Sequence, residues 1–140
     1  MIVKRKRFIS LLMAAVCMFL FAMPAFATAR ASIQINRYDM RVTPVAGTLN
    51  IYFSVTGTDG MDKIGCESIY VYEKSGSRWV LTDSWDEDDD GMSRTDSGYK
   101  MNTIYCDSEA GVEYKVVVTI FAENSAGRDS RTRTIYVTGR

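Results

Sequence analysis

The run Asp86-Glu87-Asp88-Asp89-Asp90-Gly91 holds the densest set of potential ligands in the chain. Carboxylates at the alternate positions Asp86, Asp88 and Asp90, closed by Gly91, match the opening of a calcium loop. Such a loop surrounds a hard divalent cation with oxygens and uses glycine for the sharp turn. The match stops short of its end, because the position that should carry a bidentate Glu carries Ser97. The same run also reads as a solvated acidic loop, or as an acidic patch that meets a basic partner. Calcium is the one cofactor the sequence suggests.

Two further groups of residues have chemistry to offer. Tyr70, Tyr72 and Trp79 fall close together in a tyrosine-rich stretch. Aromatic rings facing solvent can stack on the C–H faces of sugars. The same rings can instead cover a core or pack across strands. Arg128, Arg131 and Arg133 gather near the C-terminus, where such charges guard a sheet edge against pairing or meet an anionic polymer. Catalytic chemistry is poorly provided for. With no His in the chain, Ser-His-Asp and Cys-His nucleophile pairs and all His metal sites are excluded. No pair of carboxylates can be set across a cleft from the sequence, and the expectation is a protein that is not an enzyme.

The elements that must position these residues are strands. Beyond residue 30 the apolar residues recur with period two. Leu49, Ile51, Phe53 and Val55 alternate with Asn50, Tyr52, Ser54 and Thr56, the pattern of a half-buried strand. Ile69 and Val71 alternate with Ser68, Tyr70 and Tyr72. The turn Lys74-Ser75-Gly76-Ser77 then leads back through Arg78–Trp85 as a hairpin. Further extended segments fall at 32–38, 99–106, 114–123 and 131–138, the last two joined by the turn Asn124-Ser125-Ala126-Gly127. About seven short strands in a domain of this size predict an all-β, antiparallel, two-sheet sandwich.

The segment Gly111-Val112-Glu113-Tyr114, with Val116, Val118, Ala122, Asn124 and Gly127, resembles the penultimate strand of fibronectin type III and related immunoglobulin-like domains. The resemblance implies that Tyr114 bonds back to backbone just upstream of its strand. It also implies that the 70–79 hairpin holds the third strand and its neighbour. Two features depart from the pattern: the strand from Tyr114 runs longer than usual, and Ile51 and Phe53 stand where a buried Trp is common. More narrowly, Met61-Asp62-Lys63-Ile64-Gly65, Tyr72-Glu73-Lys74-Ser75-Gly76 and Ala122-Glu123-Asn124-Ser125-Ala126-Gly127-Arg128 resemble a family of small exported proteins of Gram-positive clostridia. That likeness implies a bacterial exported protein and a β-sandwich, and brings no activity with it.

The N-terminus reads as an address. Lys4, Arg5, Lys6 and Arg7 precede an apolar run from Phe8 to Ala22. Pro24 and the small residues of Ala25-Phe26-Ala27 then offer a signal-peptidase site. Residues 1–27 are expected to be a secretory signal peptide and residues 28–140 the β-sandwich domain. The alternative is an uncleaved membrane anchor. Cleavage would leave 13 Lys+Arg against 17 Asp+Glu, a net charge of −4. A chain without basic surplus is not expected to bind nucleic acid.

Cys66 and Cys106 are the only cysteines after the apolar run. In an exported protein an even count favours a disulfide. An immunoglobulin-like strand order sets these positions at opposite ends of the sandwich, which favours free thiols or pairing between chains. Both readings stand on sequence. The functional expectation is a secreted, non-enzymatic interaction or structural module whose partner is a protein or a surface polymer, with no membrane contact after signal cleavage. The alternative is a carbohydrate- or cell-wall-binding module on Tyr70, Tyr72 and Trp79, assisted by calcium at Asp86, Asp88 and Asp90.

Overall fold

The computed structural model describes residues 34–140. The expected signal peptide lies outside the described residues. The described chain forms six strands: β1 (Ile35–Val45), β2 (Thr48–Ser75), β3 (Arg78–Asp86), β4 (Ser93–Asp107), β5 (Glu113–Asn124) and β6 (Gly127–Thr138). Every pairing is antiparallel, and the sheet curls into a half-barrel.

The long strand β2 organises the whole. Its first part, Thr48–Thr56, lies between β1 and β4. Its last part, Ser68–Ser75, lies between β3 and β5, and β6 follows beyond β5. Period-two patterning survives in both parts. Leu49, Ile51 and Phe53 are fully buried, as are Ile69 and Val71, and the intervening side chains point outward.

Seven separate segments were expected and six are found, because the second and third run on as one strand. Gly57, Gly60 and Gly65 suggest a break, yet the chain between them stays extended. Residues Met61 to Gly65 find new partners in Ser93–Ser97 of β4, while Lys63–Cys66 pair with Ile120–Glu123 of β5. Met61, Ile64 and Cys66 bury their side chains on this bend. Gly65 is required there by contact: a Cβ would lie 2.3 Å from the Met92 carbonyl oxygen and 2.6 Å from the Ser93 Cα. The Cys66 N–H donates to that same carbonyl at 2.8 Å.

In β5, Val116, Val118 and Ile120 face the core in alternation, and then Phe121 and Ala122 are both buried. Ala122 continues the inner face. Phe121 is buried on the outer one, opposite the bare Gly65, with the Arg128 guanidinium 4.1 Å above its ring centre.

The β1 and β6 edges meet. The Arg133 guanidinium donates to the Met40 carbonyl at 2.9 Å, and Arg131 pairs with the buried Asp129. Arg128 grips Glu87 and Glu123. The three arginines are therefore engaged within the chain, where the sequence suggested an edge guard or an external anion.

Candidate binding face

The strand register gathers the predicted aromatics on one outward face. Trp79 of β3 lies opposite Lys74 of β2. In the next row Leu81, Tyr72, Lys115 and Tyr136 stand side by side across β3, β2, β5 and β6. Tyr70 pairs with Val117 in the row beyond. Tyr136 is 64% exposed, Leu81 50% and Tyr70 40%. Tyr72 and Trp79 are half-buried.

Side chains draw this face together. Trp79 and Tyr136 sit on strands separated by two others, yet their ring centres are 5.7 Å apart, tilted by 56°. Two ammonium groups lie over the rings of the β2–β3 side. Lys115 Nζ is 4.4 Å from the Tyr72 ring centre and 5.4 Å from that of Trp79. Lys74 Nζ is 5.8 Å from the Trp79 ring centre and 2.8 Å from the Glu113 carboxylate. Such cation–π contacts hold the lysines and rings in register. An open groove of about 460 Å³ follows the lower rim, lined by Lys74, Trp79, Glu113, Tyr114, Tyr136 and Thr138, with Val137.

Tyr114 fixes the groove from beneath. It is 2% exposed, and its hydroxyl accepts the Glu109 N–H at 2.8 Å. Burial pushes its phenol pKa up. Sequence reasoning named Tyr70, Tyr72 and Trp79 and missed Tyr136 and Lys115 as their neighbours. The alternation of β6 already placed Tyr136 beside Thr134 and Thr132 on one side. The order of strands that carries it to Trp79 is not local information.

The acidic run occupies the β3–β4 turn and is held to the sheet. The Asp86 carboxylate accepts the Asp88 N–H at 2.9 Å, and the Asp89 carboxylate accepts the Asp86 N–H at 2.8 Å. Lys63 Nζ bridges Glu87 at 2.9 Å and Asp88 at 3.1 Å. Arg128 meets both oxygens of Glu87, at 3.1 and 3.0 Å. The Arg128 guanidinium, with help from Lys63, holds the Glu87 carboxyl below its ordinary pKa against the opposing effect of burial. The basic partner of the acidic patch is thus within the chain. Among the described residues no group of three or more His, Cys, Asp or Glu is placed to hold a metal ion.

Cys66 and Cys106 are buried, free thiols, and the Cys66–Cys106 bridge is not formed. Cys106 falls just before Glu109, whose N–H meets the Tyr114 hydroxyl. Cys66 neighbours the Ile120 position of β5, further along from Tyr114 by roughly 20 Å at the rise of a strand. Bonded cysteines need Cα atoms within about 7 Å. The Cys66 thiol lies 3.3 Å from the Thr119 carbonyl and 3.4 Å from that of Ser68. Burial pushes Cys66 up to about 12 and Cys106 up to about 11, so neither is a thiolate at neutral pH.

No protein-family model matches the chain, and neither a curated protein nor a solved structure matches it.

Proposed function

We propose that the chain is an exported, non-enzymatic binding module of bacterial origin, that its binding face is the outward side of β3–β2–β5–β6, and that its ligand is a glycan. The observation that carries this reading is the Trp79–Tyr136 pair over an open groove, with Tyr72 and Tyr70 continuing the aromatic surface. An outward sheet face needs no aromatic residues for folding. Rings fixed in place lose little freedom when a sugar stacks on them, and stacking is the interaction a flat, amphipathic sugar face offers.

We take the fold to be fibronectin type III-like. Two strand orders support this: β1, first part of β2, β4; and β3, last part of β2, β5, β6. The Tyr114 hydroxyl bond to the Glu109 backbone supports it too. The basic and apolar N-terminal run, and the resemblance to exported clostridial proteins, support secretion and residence at or near the cell surface.

The test is sedimentation of the protein with insoluble peptidoglycan and, separately, with insoluble polysaccharides, in calcium and in chelator. Pelleting with one polymer is expected, together with its loss in Trp79→Ala and Tyr136→Ala. Failure to pellet with any polymer would overturn the glycan reading and return the face to a protein partner. Pelleting lost in chelator would bring the Asp86–Asp90 loop into the site.

A further inference from the structure

We propose that the glycan is acidic, a chain of sugars bearing carboxylates, and that Lys115 is the group that meets the carboxylate. This rests on the glycan reading above and adds the ligand's charge. Two lysines stand on the face, and they are not equivalent. Lys74 is neutralised by Glu113 at 2.8 Å. Lys115 has no carboxylate partner among the described residues, and its ammonium lies over the rings of Tyr72 and Trp79.

An ammonium held over two rings is an unmatched positive charge on the surface where a sugar would stack. Desolvating it under a neutral ligand costs free energy, whereas a ligand carboxylate compensates that cost. The geometry also favours a charge borne on the sugar itself. Lys115 lies in the row of Tyr72 and Tyr136, so a ring resting on Tyr72 or Trp79 brings its own substituents within reach of the ammonium.

The Lys74–Glu113 pair sets the direction. At the groove end of the face, beside Thr138, the two charges compensate each other and offer a carboxylate no net attraction. The acid group is therefore drawn toward Lys115, leaving sugar hydroxyls for Glu113 and Thr138. Long-range attraction does not explain affinity for a polyanion, because the chain beyond residue 27 has a net charge of −4. Binding would have to come from this local site.

The experiment titrates the full chain with short oligogalacturonates and with the same oligomers as methyl esters, which keep the sugar and remove the charge. Lys115→Gln and Trp79→Ala are measured beside it, with melting curves to verify folding. The acid is expected to bind about fivefold tighter than the ester, the scale of one partly exposed ion pair. Lys115→Gln should bring the acid down to the affinity of the ester, and Trp79→Ala should weaken both. Equal binding of acid and ester would overturn the acidic-glycan inference and leave the glycan reading intact. An undiminished preference for the acid in Lys115→Gln would overturn the role of Lys115. No binding of either oligomer would overturn this inference, and the sedimentation experiment then decides separately whether the glycan reading survives.

Discussion

Replacing Tyr114 by Phe removes one oxygen and nothing else, which makes it the cleanest test of what holds the groove in place. The ring is 2% exposed, and the hydroxyl is the acceptor for the Glu109 N–H at 2.8 Å. Without it that N–H loses its partner at a tight crossing, where the Gly139 position lies only 2.1 Å from the Glu109 carbonyl oxygen when a Cβ is placed on it. Leaving a buried donor unpaired costs about 1–3 kcal/mol. Glu109 itself is exposed, so water reaches part of this corner, and the lower half of the range, about 1–2 kcal/mol, applies. For a domain of this size that is a fall in Tm of roughly 4–8 °C. Urea unfolding followed by tryptophan fluorescence should show a lower midpoint at unchanged slope, since the same surface is exposed on unfolding. Tyr136→Phe is the matched control: its ring is 64% exposed, and its loss of a hydroxyl should stay within about 0.5 kcal/mol. If Tyr114→Phe is no less stable than Tyr136→Phe, the corner bond does not hold the strand, and the account of the groove floor is wrong.

Three other perturbations follow from the same packing. Gly65→Ala should destabilise by roughly 3 kcal/mol, because its Cβ would strike the Met92 carbonyl and Ser93 backbone and force β2 away from β4; a melting temperature equal to that of the parent would contradict this. Arg128→Ala should cost about 1–2 kcal/mol at neutral pH, by releasing Glu87 and Glu123 and uncovering Phe121. Since folding lowers the Glu87 pKa, its contribution is complete above the unfolded carboxylate value near ~4.3 and is lost as pH falls through the lower folded value, so the variant should show a shallower loss of urea midpoint between neutral pH and about pH 3. Cys66 and Cys106 should resist iodoacetamide at pH 8 in the folded protein and react fully in urea, with thiols raised to about 12 and about 11; rapid labelling of the native form, or a mass lower by two hydrogen atoms without reductant, would refute the free and buried assignment.

How far the sequence could be read depended on whether the deciding contact was local. Leu49, Ile51, Phe53 and Val55 alternate without interruption, and the strand they predict is present with every one of them buried. The hairpin through Gly76 was legible for the same reason, since its turn and both arms lie within one short stretch. Residues 57–65 were not. Their glycines and aspartates have the composition of a turn, and the partners that keep the chain extended are distant: Ser93–Ser97, outside every segment the patterning marks as extended, and Ile120–Glu123 of β5. Phe121 shows a subtler failure. It breaks the alternation of β5, and its burial depends on a missing side chain at its register partner Gly65, distant in sequence, and on the position of Arg128 across a turn. Tyr70, Tyr72 and Trp79 could be grouped because they share one hairpin, whereas Tyr136 joins them only through the strand order.

The two outward faces of the half-barrel make the choice of binding site a matter of contrast. The face over β1, the first part of β2 and β4 is also rich in large side chains: Tyr105 is 65% exposed, Met101 48% and Tyr99 43%. Of its cations, Arg41 lies 4.7 Å from the Tyr52 ring centre and is paired with Asp39 at 2.8 Å, while Arg37 stands in the row of Thr56 and Tyr99. No aromatic pair spans that face, and the groove lies on the other one. Across β3–β2–β5–β6 the opposite holds. Aromatic rings from the two outer strands close over the inner two, a floor residue is locked by its own hydrogen bond, and one ammonium stands among the rings without an anion. Rows of exposed tyrosine alone fit strand propensity and need no ligand to explain them. The Lys115 ammonium differs from them, because its cation–π contacts hold it among the rings and leave it without an anion, which is the feature the proposed acidic sugar would meet.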